Sequence, residues 1–164
     1  MSSYLFLQMF VVEVKTGKKE KVRISQLKSS EVIKLDSFDF EWSNETKFEV
    51  YKLSLISNEQ IMGLLSIERV IEELRIEIRL LEISTENIGK SKLYDRIAGI
   101  LIAFACKESF KNGFYGFVSL IPKTKLIKHY TEKYGFQQFG RHLAIELQES
   151  LILMNRYLTY EKEK

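Results

Sequence analysis

The chain has 164 residues, 45% of them hydrophobic and 29% charged, with a net charge of +3. That length suits one globular domain with a real core, and so small a positive charge argues against nucleic acid as a partner. No apolar run approaches the roughly 20 residues of a membrane span, and the lone cysteine, Cys106, excludes an internal disulfide and fits a reducing, cytoplasmic setting.

In chain order, Met9 to Lys15 reads as a strand, because the apolar start lacks the basic leader and small-residue cleavage site of a signal peptide. Thr16-Gly17-Lys18-Lys19 makes a turn, and Lys21 to Ile24 pairs back. The basic residues between Lys15 and Lys28 suit a hairpin edge guarded against aggregation. Ser25 to Asn44 fits neither helix nor strand. Within it Asp36 to Trp42 mixes acids with aromatics, as a packed loop or the wall of a site would.

Phe48 to Ile56, Ile61 to Ile71 and Leu74 to Ser84 are three strands joined by short turns, an antiparallel meander. Alternation in the third puts Ile76, Ile78, Leu80 and Glu82 on one face and Glu77, Arg79, Leu81 and Ile83 on the other. A polar loop leads to Ile97–Asn112, a helix so apolar at its start that it should be buried on most sides, with Gly113 as its C-terminal stop. Phe114 to Ile121 is a further apolar strand, closed by Pro122. Strand, loop, helix and strand form a βαβ unit, right-handed by default. Lys123 to Tyr134 then reads as a short amphipathic helix ending at Gly135-Phe136. Gln137 to Phe139 and His142 to Leu147 form a closing hairpin, and Gln148 to Tyr160 a last helix with a fraying tail. The fold class is α/β (α+β): a single domain over 1–164 with a mixed central sheet of about six to seven strands, an antiparallel meander followed by a βαβ unit. The chain carries no internal repeat and no low-complexity linker.

That order of elements resembles the GNAT superfamily of acyl-CoA-dependent N-acyltransferases, and more narrowly small bacterial GNAT-like proteins. The letters that carry the likeness are FAC (Phe104 to Cys106), Ser109-Phe110, GFYGFVS (Gly113 to Ser119), KTKLIKHY (Lys123 to Tyr130) and Gly135. It spans about residues 48–147. Residues 1–47 match loosely, and the two N-terminal helices usual in the superfamily are not evident.

The resemblance implies acetyl-CoA as co-substrate and a phosphate-binding loop of the form Arg/Gln-x-x-Gly-x-Gly/Ala before the buried helix. Two registers exist. Leu93-Tyr94-Asp95-Arg96-Ile97-Ala98, followed by Gly99, keeps a small residue at Ala98 but puts Arg96 in the glycine position; Glu86 to Ser91 keeps Gly89 but begins with an acid. The first gives the helix its expected length. It makes Arg96, Ile97, Ala98 and Gly99 cofactor-binding, through free amides at a helix mouth or through charge-assisted bonds from Arg96 itself. Leu81 and Ile83 would offer backbone N–H groups to the thioester carbonyl and pantetheine amides. Thr124 falls where the family often has a CoA-contacting asparagine, although an N-cap role suits it equally.

The family's general acid is the tyrosine of Tyr-x-x-x-Gly-Phe. Tyr130 stands one residue too far from Gly135 and Tyr134 directly precedes it; Tyr130 is the better candidate for both catalysis and cofactor contact. Glu82 is the candidate general base, with Glu77 behind it. His129 and His142 read as surface histidines, Cys106 as an inert core thiol, and no metal-ligand spacing occurs. The expected function is transfer of an acetyl group from acetyl-CoA to a primary amine. A GNAT-fold protein without turnover, working through protein contacts, is the alternative, motivated by Arg96 and the displaced tyrosine. A transferase acting on charged tRNA is a third option, to which +3 lends little. A homodimer would suit the apolar last helix.

Overall fold

The computed structural model describes residues 5–122 and 127–162. Ten strands, β1 (Leu5–Glu13), β2 (Lys19–Gln26), β3 (Glu49–Leu55), β4 (Ile61–Val70), β5 (Arg75–Ile83), β6 (Tyr94–Asp95), β7 (Val118–Leu120), β8 (Gln137–Phe139), β9 (His142–Ile145) and β10 (Thr159–Lys162), form one mixed sheet. Its order is β10-β1-β2-β3-β4-β5-β7-β9-β8, with β6 added beside β1. This is more than the six to seven strands expected. β6 and the polar β10 (Thr159–Lys162) are too short to show periodicity, and both become strands by pairing with β1.

The three-strand meander is as read, β3 (Glu49–Leu55), β4 (Ile61–Val70) and β5 (Arg75–Ile83) pairing antiparallel in sequence, and β2 (Lys19–Gln26) extends it by pairing with β3. A bulge interrupts it. Ile67 faces Ile78 but Ser66 faces Leu80, so Arg79 is the extra residue. The strand changes faces there. Ile76 and Ile78 join the main core, and Leu81 and Ile83 pack against it; Leu80 points instead to a smaller cluster around Trp42, Val50 and Leu64. The expected single face for Ile76, Ile78, Leu80 and Glu82 is therefore split between the two sides.

α2 (Ile97–Lys111) buries ten of its residues, as its composition dictates. It ends in a Schellman motif: the amides of Gly113 and Phe114 reach the carbonyls of Phe110 and Ser109, with Gly113 at φ 76°. β7 (Val118–Leu120) runs parallel to β5. It is shorter than the expected Phe114 to Ile121, because Tyr115 and Gly116 adopt left-handed backbone and turn the chain before it.

α3 (Ile127–Tyr134), the hairpin of β8 (Gln137–Phe139) and β9 (His142–Ile145), and α4 (Leu147–Tyr157) complete the order. The last helix stops three residues earlier than expected. From Leu158 the backbone is extended, and Thr159–Lys162 takes the open edge of β1 at Leu5–Gln8 instead of fraying. Between β2 and β3, where the two usual helices are missing, lie only the one-turn α1 (Ser29–Val32) and a short 3₁₀ turn at Trp42–Glu45. Among the described residues no helix is long and apolar enough to cross a membrane.

Candidate active site

The site begins where two strands part. β5 and β7 pair only at Ile76↔Val118, Glu77↔Ser119 and Ile78↔Leu120. β5 continues to Ile83 while β7 ends at Leu120, so Arg79 to Ile83 lie beyond the shared ladder. Strand amides alternate between edges. Before the bulge, Ile76 N–H donates to the Phe117 carbonyl on the β7 side (3.1 Å); after it, Ser84 N–H donates to Met62 on the β4 side (3.0 Å). The change of parity at Arg79 therefore aims the amides of Leu81 and Ile83 toward the open edge.

Two adjoining cavities flank that edge. One, of about 410 Å³, is walled by Asp39, Phe40, Glu82 and Tyr130. The other, of about 370 Å³, is walled by Lys92, Asp95, Arg96, Ile97 and Lys133. Ile83, Ile88, Ala98, His129 and Tyr134 border both, so the two make one groove from the mouth of α2 to the parting of the strands. A third cavity, of about 420 Å³ against Phe117, Phe139 and Glu149, touches neither the free edge of β5 nor the mouth of α2.

At the mouth, Arg96 is the N-cap of α2, with φ 85°. That left-handed backbone is what the glycine of the resembled loop would supply, which supports the register Leu93 to Ala98. The first intrahelical bond runs from Ile100 N–H to the Arg96 carbonyl (3.0 Å). The amides of Ile97, Ala98 and Gly99 are thus left without intrahelical partners. Ala98 is small and borders both cavities, whereas Gly99 is buried against the Tyr157 ring rather than open to the groove. Asp95 also stands here. Its Oδ1 accepts from Arg96 N–H (2.8 Å) and Lys92 Nζ (2.9 Å). Burial pushes its pKa up, but Lys92 and the Arg96 amide outweigh that and hold it below the usual aspartate value. Free amides, a small side chain and two lysines suit a diphosphate, with the Asp95 carboxylate as the one opposing group. Arg96 itself borders the cavity, yet its guanidinium turns to the carbonyls of Phe10 and Arg156 instead of the mouth.

At the other end, the Glu82 carboxylate holds the acid-aromatic loop. Oε2 accepts from Asp39 N–H (2.7 Å), and Oε1 from Phe40 N–H (3.1 Å) and Trp42 Nε1 (2.9 Å). A carboxylate has about four accepting positions, so one remains. Glu77 lies elsewhere, paired with His142 and Arg75. The Tyr130 and Tyr134 rings lie tilted to each other with centres 6.0 Å apart, and burial raises the pKa of both hydroxyls. Tyr130 reaches only the Glu82 cavity. At the helix end Phe136 N–H returns to the Tyr130 carbonyl (3.4 Å) across Gly135 at φ 81°. Thr124 lies outside the described residues, as does the expected start of its helix at Lys123.

His129, expected as a surface histidine, lines the groove with Lys92 and Lys133, neither of which was a candidate. Burial, then the charges of Lys133 and Lys92, lower the His129 pKa below its ordinary value. Only the i, i+4 spacing of His129 and Lys133 on α3 hinted at a shared face. Among the described residues no group of acids, histidines or cysteines is arranged to hold a metal.

No family model and no curated protein matches the chain. Solved structures do. AtaT, complexed with acetyl-methionyl-tRNAfMet, superposes over 82% of this chain and 99% of its own at TM-score 0.57 and 13% identity. YhhK from E. coli, bound to coenzyme A, covers 89% and 99% at TM-score 0.53 and 8% identity. A GNAT-family acetyltransferase from Bacillus anthracis covers 84% and 98% at TM-score 0.52 and 15% identity. At such identities the likeness is one of fold, and the fold is that of the GNAT acyl-CoA N-acyltransferases.

Proposed function

We propose that the protein is an N-acyltransferase that moves an acetyl group from acetyl-CoA to a primary amine. The observation that carries this reading is the free edge of β5 from Arg79 to Ile83, lying beside a groove that ends at the unpaired amides of α2. YhhK bound to coenzyme A and the acetyltransferases of the same fold support it.

The co-substrate supplies an activated thioester. The amides of Ile97 and Ala98, with Lys92 and Lys133, hold its phosphates. The amides of Leu81 and Ile83 bind along the arm and offer fixed dipoles where charge develops on the carbonyl oxygen. Glu82 takes a proton from the amine through its remaining accepting position, directly or through water. Tyr130, kept protonated by its burial, returns a proton to the departing thiolate sulfur. The cytoplasm, which holds acetyl-CoA and keeps Cys106 reduced, is the setting that fits.

The test is thiol release from acetyl-CoA measured with a panel of primary amines. Release that depends on an amine and is lost in Tyr130→Phe supports the reading; no release above the hydrolysis background with any amine counts against it.

A further inference from the structure

Arg96 occupies a backbone conformation that a non-glycine residue rarely takes. Glycine would adopt it freely, so the local turn gives no reason for an arginine. The side chain does. Its Nε donates to the carbonyl of Phe10 (3.1 Å) and its Nη2 to that of Arg156 (3.1 Å). The guanidinium also lies 4.3 Å from the ring centre of Phe10 and 5.1 Å from that of Tyr157. The Asp95 carboxylate acts on its charge, but the guanidinium's hydrogen bonds go to the two carbonyls. Phe10 belongs to β1, which carries β6 on one stretch and β10 on another. Arg156 sits in the last turn of α4, whose carbonyls lack partners within the helix. One planar fork thus joins the first turn of α2 to β1 and to the helix end that leads into β10.

We propose that Arg96 is a positioning residue: it fixes the mouth of α2 for phosphate by tying it to the C-terminal segment, and makes no phosphate contact of its own. This rests on the reading that the mouth of α2 takes the phosphates of acetyl-CoA. It accounts for an arginine in the glycine position of a phosphate loop without a guanidinium in the phosphate's way. It also gives the C-terminal helix and strand, which contribute no groove-lining residue, a part in binding.

The test pairs hydrogen exchange with calorimetry on full-length Arg96→Gly and Arg96→Lys. Glycine keeps the turn but removes the fork; lysine keeps the charge but cannot serve two carbonyls and two rings in one plane. In Arg96→Gly, amides 97–99 and 158–162 should exchange faster together, with 101–108 unchanged, and acetyl-CoA should bind about tenfold more weakly, as expected of a displaced but intact site. Arg96→Lys should fall between. Ile102→Val, a milder core change in the same helix, should lower the melting temperature while leaving acetyl-CoA affinity and both end segments unchanged. The inference is overturned if either end segment keeps its wild-type exchange in Arg96→Gly, or if that variant binds acetyl-CoA as the wild type does. Failure of the wild type to bind acetyl-CoA would instead refute the acyltransferase reading, and the exchange of the two segments then decides whether the tie exists.

Discussion

Glu82 carries two duties that a pair of substitutions can separate. Its three donors are Asp39 N–H, Phe40 N–H and Trp42 Nε1, and the Trp42 side chain is fully buried. In Glu82→Gln the amide oxygen can still accept from Phe40 and Trp42, but the amide nitrogen then confronts Asp39 N–H. One bond is lost and the other two cease to be charge-assisted, together worth about 1.5–3 kcal/mol, and the exposed position of Asp39 favours the lower end. In Glu82→Ala all three partners go and the Trp42 indole N–H is left without an acceptor, so about 3–5 kcal/mol is expected. For a chain of this size each kcal/mol moves the melting temperature by about 2–4 °C. Thermal unfolding followed by Trp42 fluorescence should therefore fall by about 5 °C in Glu82→Gln and by about 10 °C or more in Glu82→Ala. Amine-dependent turnover should be lost in both, because glutamine cannot accept the proton. Melting temperatures within 1 °C of wild type in both variants would refute the loop-anchoring role; full turnover in Glu82→Gln would refute the proton-accepting one.

Tyr130→Phe should lower kcat by about 10²-fold or more, and the burial that raises the hydroxyl pKa should hold the wild-type alkaline fall in rate above the ordinary tyrosine value of 10.0. Gly99→Ala would drive a methyl group into the Tyr157 ring, so a loss of about 2–3 kcal/mol is expected in urea unfolding; unchanged stability would contradict the close approach of α2 to α4. Arg69, bonded to the Glu49 carboxylate at 2.6 and 2.8 Å, holds that pKa below 4.5. A depressed carboxylate stabilises the fold above its unfolded value, and that contribution fades as pH falls through the folded one. Acid unfolding should therefore be less steep below pH 4.5 in Glu49→Gln than in wild type.

The parts of this fold that strong periodicity marks were legible in the letters: the three-strand meander, the apolar α2 and its glycine stop. The bulge at Arg79 was not, because LRIEIRLLEIS alternates well enough to read as one unbroken strand, and only the pairing with Ser66 and Ile67 reveals the extra residue. That missed residue decides the direction of the Leu81 and Ile83 amides, which were chosen by resemblance alone. Arg96 stood out as a misfit by type, but its way out of the groove depends on Phe10 and Arg156, both far from it in sequence. β10 escaped for a similar reason, since Thr159–Lys162 is polar and becomes a strand only where β1 offers an edge. Glu82 was singled out by its place on the central strand, but the loop its carboxylate holds depends on contacts no spacing rule predicts.

The groove itself is tested most directly by titrating isotope-labelled protein with acetyl-CoA and following backbone amides by NMR. Saturable shifts at Leu81 and Ile83 together with Ile97 and Ala98 are the expected result. Amides of those four residues that stay in place at millimolar acetyl-CoA, or shifts gathered around Phe117 and Phe139 instead, would contradict a thioester slot between β5 and β7.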